Sequence, residues 1–264
     1  MKDKKQPSGY TILEVMIVLA VSGVLFVIAA NFINDKQART SFPVGTNQLA
    51  SNLQGVIDDV ADGSYSDVNI SCSGGGGAPP TITETPTGAE NQGRNAACVF
   101  RGKLLHFYKD GTDYSQKYAV INLVDLRSTK GLELSKIRSN QALVQEFTIP
   151  LSLEVREVDV RALNGDGKSN GNNIGFVQSQ GVSAVDGGYK SGSQTIYLVH
   201  VNSPDTESGS VTANNVNGPD RAVEQVKSFS ICISDGNRYA RINVGSNNSN
   251  NLTVTTKFKG TTGC

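Results

Sequence analysis

The sequence predicts an α+β chain: a long N-terminal helix, transmembrane and then amphipathic, packed on an antiparallel β-sheet head. Three observations predict it. Residues 10–33 form a mostly apolar run whose sole charge is Glu14. At about 1.5 Å per residue this run reaches about 36 Å, enough to cross a hydrocarbon core of about 30 Å. Farther on, Leu49, Leu53, Val56, Ile57 and Val60 fall on one helical face. Beyond them lie runs rich in β-branched and aromatic residues, separated by Gly, Asn and Ser, with 28 glycines in 264 residues.

The transmembrane segment carries the most information. A carboxylate inside a membrane costs about 2.5–3.5 kcal/mol near the helix centre and less toward the interface, so Glu14 calls for a partner. A short leader precedes it, with Lys2, Lys4 and Lys5 against Asp3, and ends at Gly9. That charge bias predicts a cytoplasmic N-terminus and a single pass of the cytoplasmic membrane. A secretory signal would have a shorter apolar core, of about 7–15 residues, and an A-x-A-like site. Here the run is longer, and Ile28-Ala29-Ala30 matches such a site poorly.

The stretch Gly9-Tyr10-Thr11-Ile12-Leu13-Glu14, with the apolar run behind it, resembles the class III signal of type IV prepilins and pseudopilins. The resemblance implies cleavage after Gly9 by a prepilin peptidase and methylation of the new amine on Tyr10. It also implies filament assembly, with Glu14 pairing with a neighbour's terminal amine, and a final place in an extracytoplasmic pilus or pseudopilus. Its partners would be other pilin subunits, the peptidase, an assembly platform and the inner membrane. Tyr10 stands where the family usually has Phe. The proline that kinks many major-pilin helices is absent from 10–33; the size and the loop-rich head favour a minor subunit.

After Ile33 the sequence turns polar, and Pro43 and Gly45 predict a break. An amphipathic helix is expected to resume from an Asn47 N-cap and stop at Gly63, so that 34–63 follows the membrane span and 64–264 forms the head. Residues 73–95, with four consecutive glycines and Pro79, Pro80 and Pro86, read as a loop. Strands are expected at 98–108, 118–126, 146–160, 195–201 and 252–258, with Pro150 bending the third. Residues 229–234 and 238–244 read as a hairpin around Asp235-Gly236-Asn237. This pattern resembles the head of FimT- and GspH-like minor pilins and pseudopilins.

Cys72, Cys98, Cys232 and Cys264 are an even set on the exported side of a membrane, which reads as disulfides. Three connectivities are open. Cys72–Cys98 and Cys232–Cys264 are favoured because each closes a local, turn-rich region. With no close Cys-x-x-Cys pair and two histidines, no metal site and no cofactor are expected. His106 and His200 sit in apolar strand patterns and read as structural, no nucleophile motif appears, and catalytic residues are therefore expected to be none: the chain reads as no enzyme. Residues 164–171 resemble a calcium loop only superficially, since Lys168 and Val177 would occupy ligand positions.

The chain has 24 basic and 24 acidic residues; without the leader the balance is −2, against a protein built mainly for polyanions. One local asymmetry stands out. Residues 226–264 carry Lys227, Arg238, Arg241, Lys257 and Lys259 against Asp235 alone. Some FimT-like minor pilins bind DNA through a basic C-terminal region, which makes Arg238, Arg241, Lys257 and Lys259 candidate DNA contacts here. A solvated sheet surface is the expected default.

Overall fold

The computed structural model describes the backbone at residues 11–63, 70–74, 79–84, 98–110, 113–126, 134, 137–139, 143–163, 168–171, 173–179, 182–185, 188–191, 195–202, 222–246, 252–261 and 263–264. Side chains at 31–39, in three short strands and at some strand ends are outside that description. The chain forms two compact units, Met1–Val44 and Gly45–Cys264. A single helix, α1 (Ile12–Asp62), belongs partly to each.

The expected break at Pro43 and Gly45 is absent: α1 runs through both, so Asn47 is an exposed interior residue and not a cap. Proline inside a helix costs about 3 kcal/mol. The second unit offsets that, because Leu49, Leu53, Val56, Ile57 and Val60 are all buried, each contributing about 1.5–3 kcal/mol. Gly45 has a packing reason. A Cβ there would come within 2.8 Å of Leu153 Cδ1 and 3.3 Å of the Pro150 carbonyl, so a side chain would have to displace Leu153 and press on that turn. Gly63, with φ +70°, ends α1 and donates its N–H to the Val60 carbonyl.

Strands β1 (Ile70–Ser73) and β2 (Thr81–Glu84) form a two-stranded sheet. Thr81–Glu84 was expected to be loop; its Thr-Ile-Thr alternation instead pairs with β1 and packs Ile82 beside Ile70, Cys72, Val124 and Leu126. The main sheet contains β3 (Cys98–Asp110), β4 (Asp113–Leu126), β5 (Val144–Thr148), β6 (Glu154–Ala162), β7 (Lys168–Asn170) and β8 (Asn173–Ser179). It also contains β11 (Thr195–Asn202), β12 (Ala222–Ser234), β13 (Tyr239–Ser246) and β14 (Leu252–Gly260), while β9 (Val182–Val185) and β10 (Gly188–Ser191) pair separately. The order is β14-β13-β12-β11-β8-β3-β4-β5, with β6 on β12 and β7 on β6, antiparallel throughout.

Pro150 divides the expected 146–160 strand into β5 and β6, joined through a 3₁₀ turn at Pro150–Ser152 where Leu151 takes a left-handed φ of 57°. At the centre of the sheet, β3 and β8 approach so closely that a Cβ on Gly102 would overlap the Phe176 carbonyl. The central strands are buried on both faces, so their sequences lack a clean polar alternation. On one face Lys103 Nζ donates to Asp59 Oδ2 of α1 at 2.6 Å, and Tyr118 Oη accepts from Asn52 Nδ2 at 3.4 Å. On the other, Leu104, Ala119, Ile121, Leu123, Val177 and Val199 pack with Ile137.

Cys232 of β12 is disulfide-bonded to Cys264, with Cα atoms 5.9 Å apart. Closing 32 residues of chain contributes about 3–4 kcal/mol in the chain-entropy picture. Cys72 is disulfide-bonded as well; the side chain of Cys98, its expected partner, lies outside the described residues.

Candidate functional site: the N-terminal segment and the basic sheet edge

Gly9 and Tyr10 lie outside the described residues, and the description begins at Thr11. Thr11 caps α1: its Oγ1 accepts from the Glu14 N–H at 3.3 Å, and its carbonyl accepts from Glu14 and Val15. The sequence signal for this cap is Thr-x-x-Glu, a capping-box spacing that the reading of 10–33 as a membrane span overlooked. Glu14 thereby occupies the third helical position, where the positive end of the helix dipole favours a carboxylate. Residues Ile12–Ala30 have mean hydropathy 2.8, with none of that window buried. Ile12, Leu13, Met16, Leu19 and Phe26 are each more than 60% exposed, so this surface has no covering among the described residues.

The basic C-terminal candidates separate: Arg241 and Lys257 lie side by side on β13 and β14, while Arg238 sits at the β12–β13 turn. Arg238 closes the β12–β13 turn onto Asp235, with Nε–Oδ2 at 2.9 Å, while the Asp235 carboxylate also accepts the Asn237 and Arg238 amides. Burial works to raise the Asp235 pKa, but these hydrogen bonds and the Arg238 charge together hold it below the usual carboxylate range. Arg241 reaches across β12 to Asp159 Oδ2 at 2.9 Å and Glu157 Oε2 at 3.5 Å, and donates to the Cys264 carbonyl. Lys257 sits opposite Arg241. Lys259 falls at a register shift, since Tyr239 faces Gly260 and Ala240 faces Phe258; Lys257 and Lys259 therefore do not follow the regular alternation that would place them on one face.

His106 is 2% exposed and its Nδ1–H donates to Asn173 Oδ1 at 2.6 Å; the ring meets Tyr108 edge-on. Burial pushes its pKa below 6.5, against the opposing effect of the Asn173 bond, and burial does the same to His200 against Glu224. The unfolded chain therefore takes up protons before the folded one does. Stability should be complete above about pH 6.5 and fall below it, by up to about 1.4 kcal/mol per pH unit per histidine. Thermal unfolding between pH 7.5 and 5 should show this decline, and His106→Gln should flatten it by about half. An unchanged slope in that variant would contradict the assignment.

The prokaryotic N-terminal methylation motif matches residues 4–30. No curated protein and no solved structure was found to match the chain. The matched span holds Gly9, Tyr10, the capped helix start and Glu14, together with nearly all of the exposed apolar helix. Residues 4–30 thus carry a prokaryotic N-terminal methylation motif, consistent with the class III signal of type IV prepilins and pseudopilins.

Proposed function

We propose that the protein is a minor structural subunit of a type IV pilus or related pseudopilus. It is held in the cytoplasmic membrane by α1, cut after Gly9 by a prepilin peptidase, methylated on Tyr10 and assembled through its helix. The observation that carries this reading is the placement of Glu14. It is the sole charge of the apolar stretch Ile12–Ala30, which is uncovered among the described residues, and the fifth residue after Gly9 within the matched motif. A terminal amine from a neighbouring subunit would neutralise it as two charges leave water together. The apolar surface would be covered first by lipid and then by the helices of other subunits. A structural role also fits histidines that are spent on packing and on Asn173.

The direct test is mass spectrometry of the chain purified from sheared surface filaments. The expected N-terminal peptide begins at Tyr10 and carries one added methyl group. A mature N-terminus at Asn31, or an intact Met1, would overturn the reading.

A further inference from the structure

A groove of about 430 Å³ crosses the outward face of β6, β12, β13 and β14. Register builds it in rows. Asp159, Ser230, Asn243 and Thr255 lie side by side, and Arg161, Ser228, Gly245 and Thr253 form the next row. The floor is therefore mostly hydroxyls and an amide, with no side chain at Gly245, and with Asp159 and Arg161 at its β6 end. Neighbouring strands are about 4.8 Å apart, so the four span about 14 Å.

Cations border this floor. Arg241 is held by Asp159 and Glu157, but Arg161, Lys227 and Lys257 form no ion pair among the described residues. The groove's volume falls in the range of ligand sites, yet its lining is polar where such sites are mostly apolar. Phe229 is the one aromatic residue lining it, and its ring is buried among the core residues beside Phe176.

These features select a ligand class. Without an exposed ring the groove lacks the stacking platform that single-stranded nucleic acid uses. Being a sheet face and not an edge, it offers an extended peptide no backbone partners. A duplex would touch the rim cations and leave the hydroxyl floor unused. A chain bearing both hydroxyls and regularly spaced anions uses every part. We propose that the groove binds a short stretch of acidic polysaccharide, whose anionic groups meet Arg161, Lys227 and Lys257 and whose hydroxyls meet Ser228, Ser230, Asn243 and Thr255.

The test is a binding titration at low salt on the full chain in phosphatidylcholine nanodiscs, with tetragalacturonate as the probe. Cellotetraose, an oligoglutamate peptide and a DNA duplex of about 20 base pairs serve as competitors for the assignment. Tetragalacturonate should bind at least about tenfold more tightly than each of the others. At about threefold per exposed ion pair, Arg161→Gln with Lys227→Gln and Lys257→Gln should weaken it about 30-fold. Thr255→Tyr, which fills the groove without changing charge, should weaken it by at least about tenfold and guards against a purely electrostatic effect. Equal binding of cellotetraose, tighter binding of the duplex or the peptide, or full binding by either variant would overturn the proposal.

Discussion

A Glu14→Ala chain should be cut after Gly9 at the normal rate, yet enter filaments at least about tenfold less often than the wild type. The cleavage site precedes Glu14 by five residues and does not include its carboxylate. Assembly does, on the proposed pairing, because a subunit's terminal amine would enter an apolar environment without its counter-charge. Breaking a buried pair costs about 3–5 kcal/mol, which exceeds the factor of ten demanded here. Thr11→Ala is the control. It removes the cap on α1, worth about 1 kcal/mol, but leaves the carboxylate in place. It should therefore reduce incorporation far less than Glu14→Ala. Immunoblots of membrane and sheared-filament fractions, with both variants co-expressed beside wild type, measure the partition. Equal recovery of Glu14→Ala in filaments would sink the pairing argument.

The N-terminal signal was legible because each of its parts is local. Gly9, Glu14 and the apolar run lie within 25 residues, and their spacing survives whatever the rest of the chain does. The Asp235-Gly236 turn was legible for the same reason, since Gly236 supplies a φ of +92° and the flanking strands β12 and β13 pair in simple register. The continuity of α1 through Pro43 was not. It depends on how closely Gly45 lies to the turn at Leu153, far along the chain, and on how much apolar surface α1 buries over the next four turns, and neither is visible in the local sequence.

Strand β8 was hidden for a related reason. It was not among the expected strands, because Asn173, Gly175 and Gln178 interrupt its apolar pattern, yet Gly175 admits β3 closely on one side and Asn173 serves His106. The basic C-terminal segment shows the reverse case, in which a count along the chain leaves out residues that the fold brings near. Counting charge along 226–264 finds one acid. The carboxylates that neutralise Arg241 belong to β6, 82 and 84 residues earlier, and only the β6–β12 register brings them near. That same register adds Arg161 to Lys227 and Lys257, which no linear count would have grouped.

Asp125→Asn should be among the most damaging single substitutions in the head, lowering stability by about 3–5 kcal/mol. Asp125 of β4 lies 3.5 Å from Arg101 of β3, and both side chains are 1% exposed. Burial draws the Arg101 pKa downward, and the Asp125 charge beside it opposes that shift. Arg138 feels the same carboxylate, but it is only half-buried and can reach water. Asparagine can still accept the Leu126 N–H that Asp125 Oδ1 accepts at 2.7 Å, so shape and that hydrogen bond survive while the counter-charge is lost. In a head of this size the melting temperature should drop by roughly 6–20 °C. Replacing both partners separates charge from packing. Arg101→Met with Asp125→Leu removes two desolvated charges together and should return most of the lost stability, because apolar groups of similar volume often match or exceed a buried pair. Circular dichroism melts of the wild type, the single and the double variant, with disulfides oxidised, make the comparison. A single variant within about 1 kcal/mol of wild type, or a double variant worse than the single, would show that the pair does not hold β3 to β4 electrostatically.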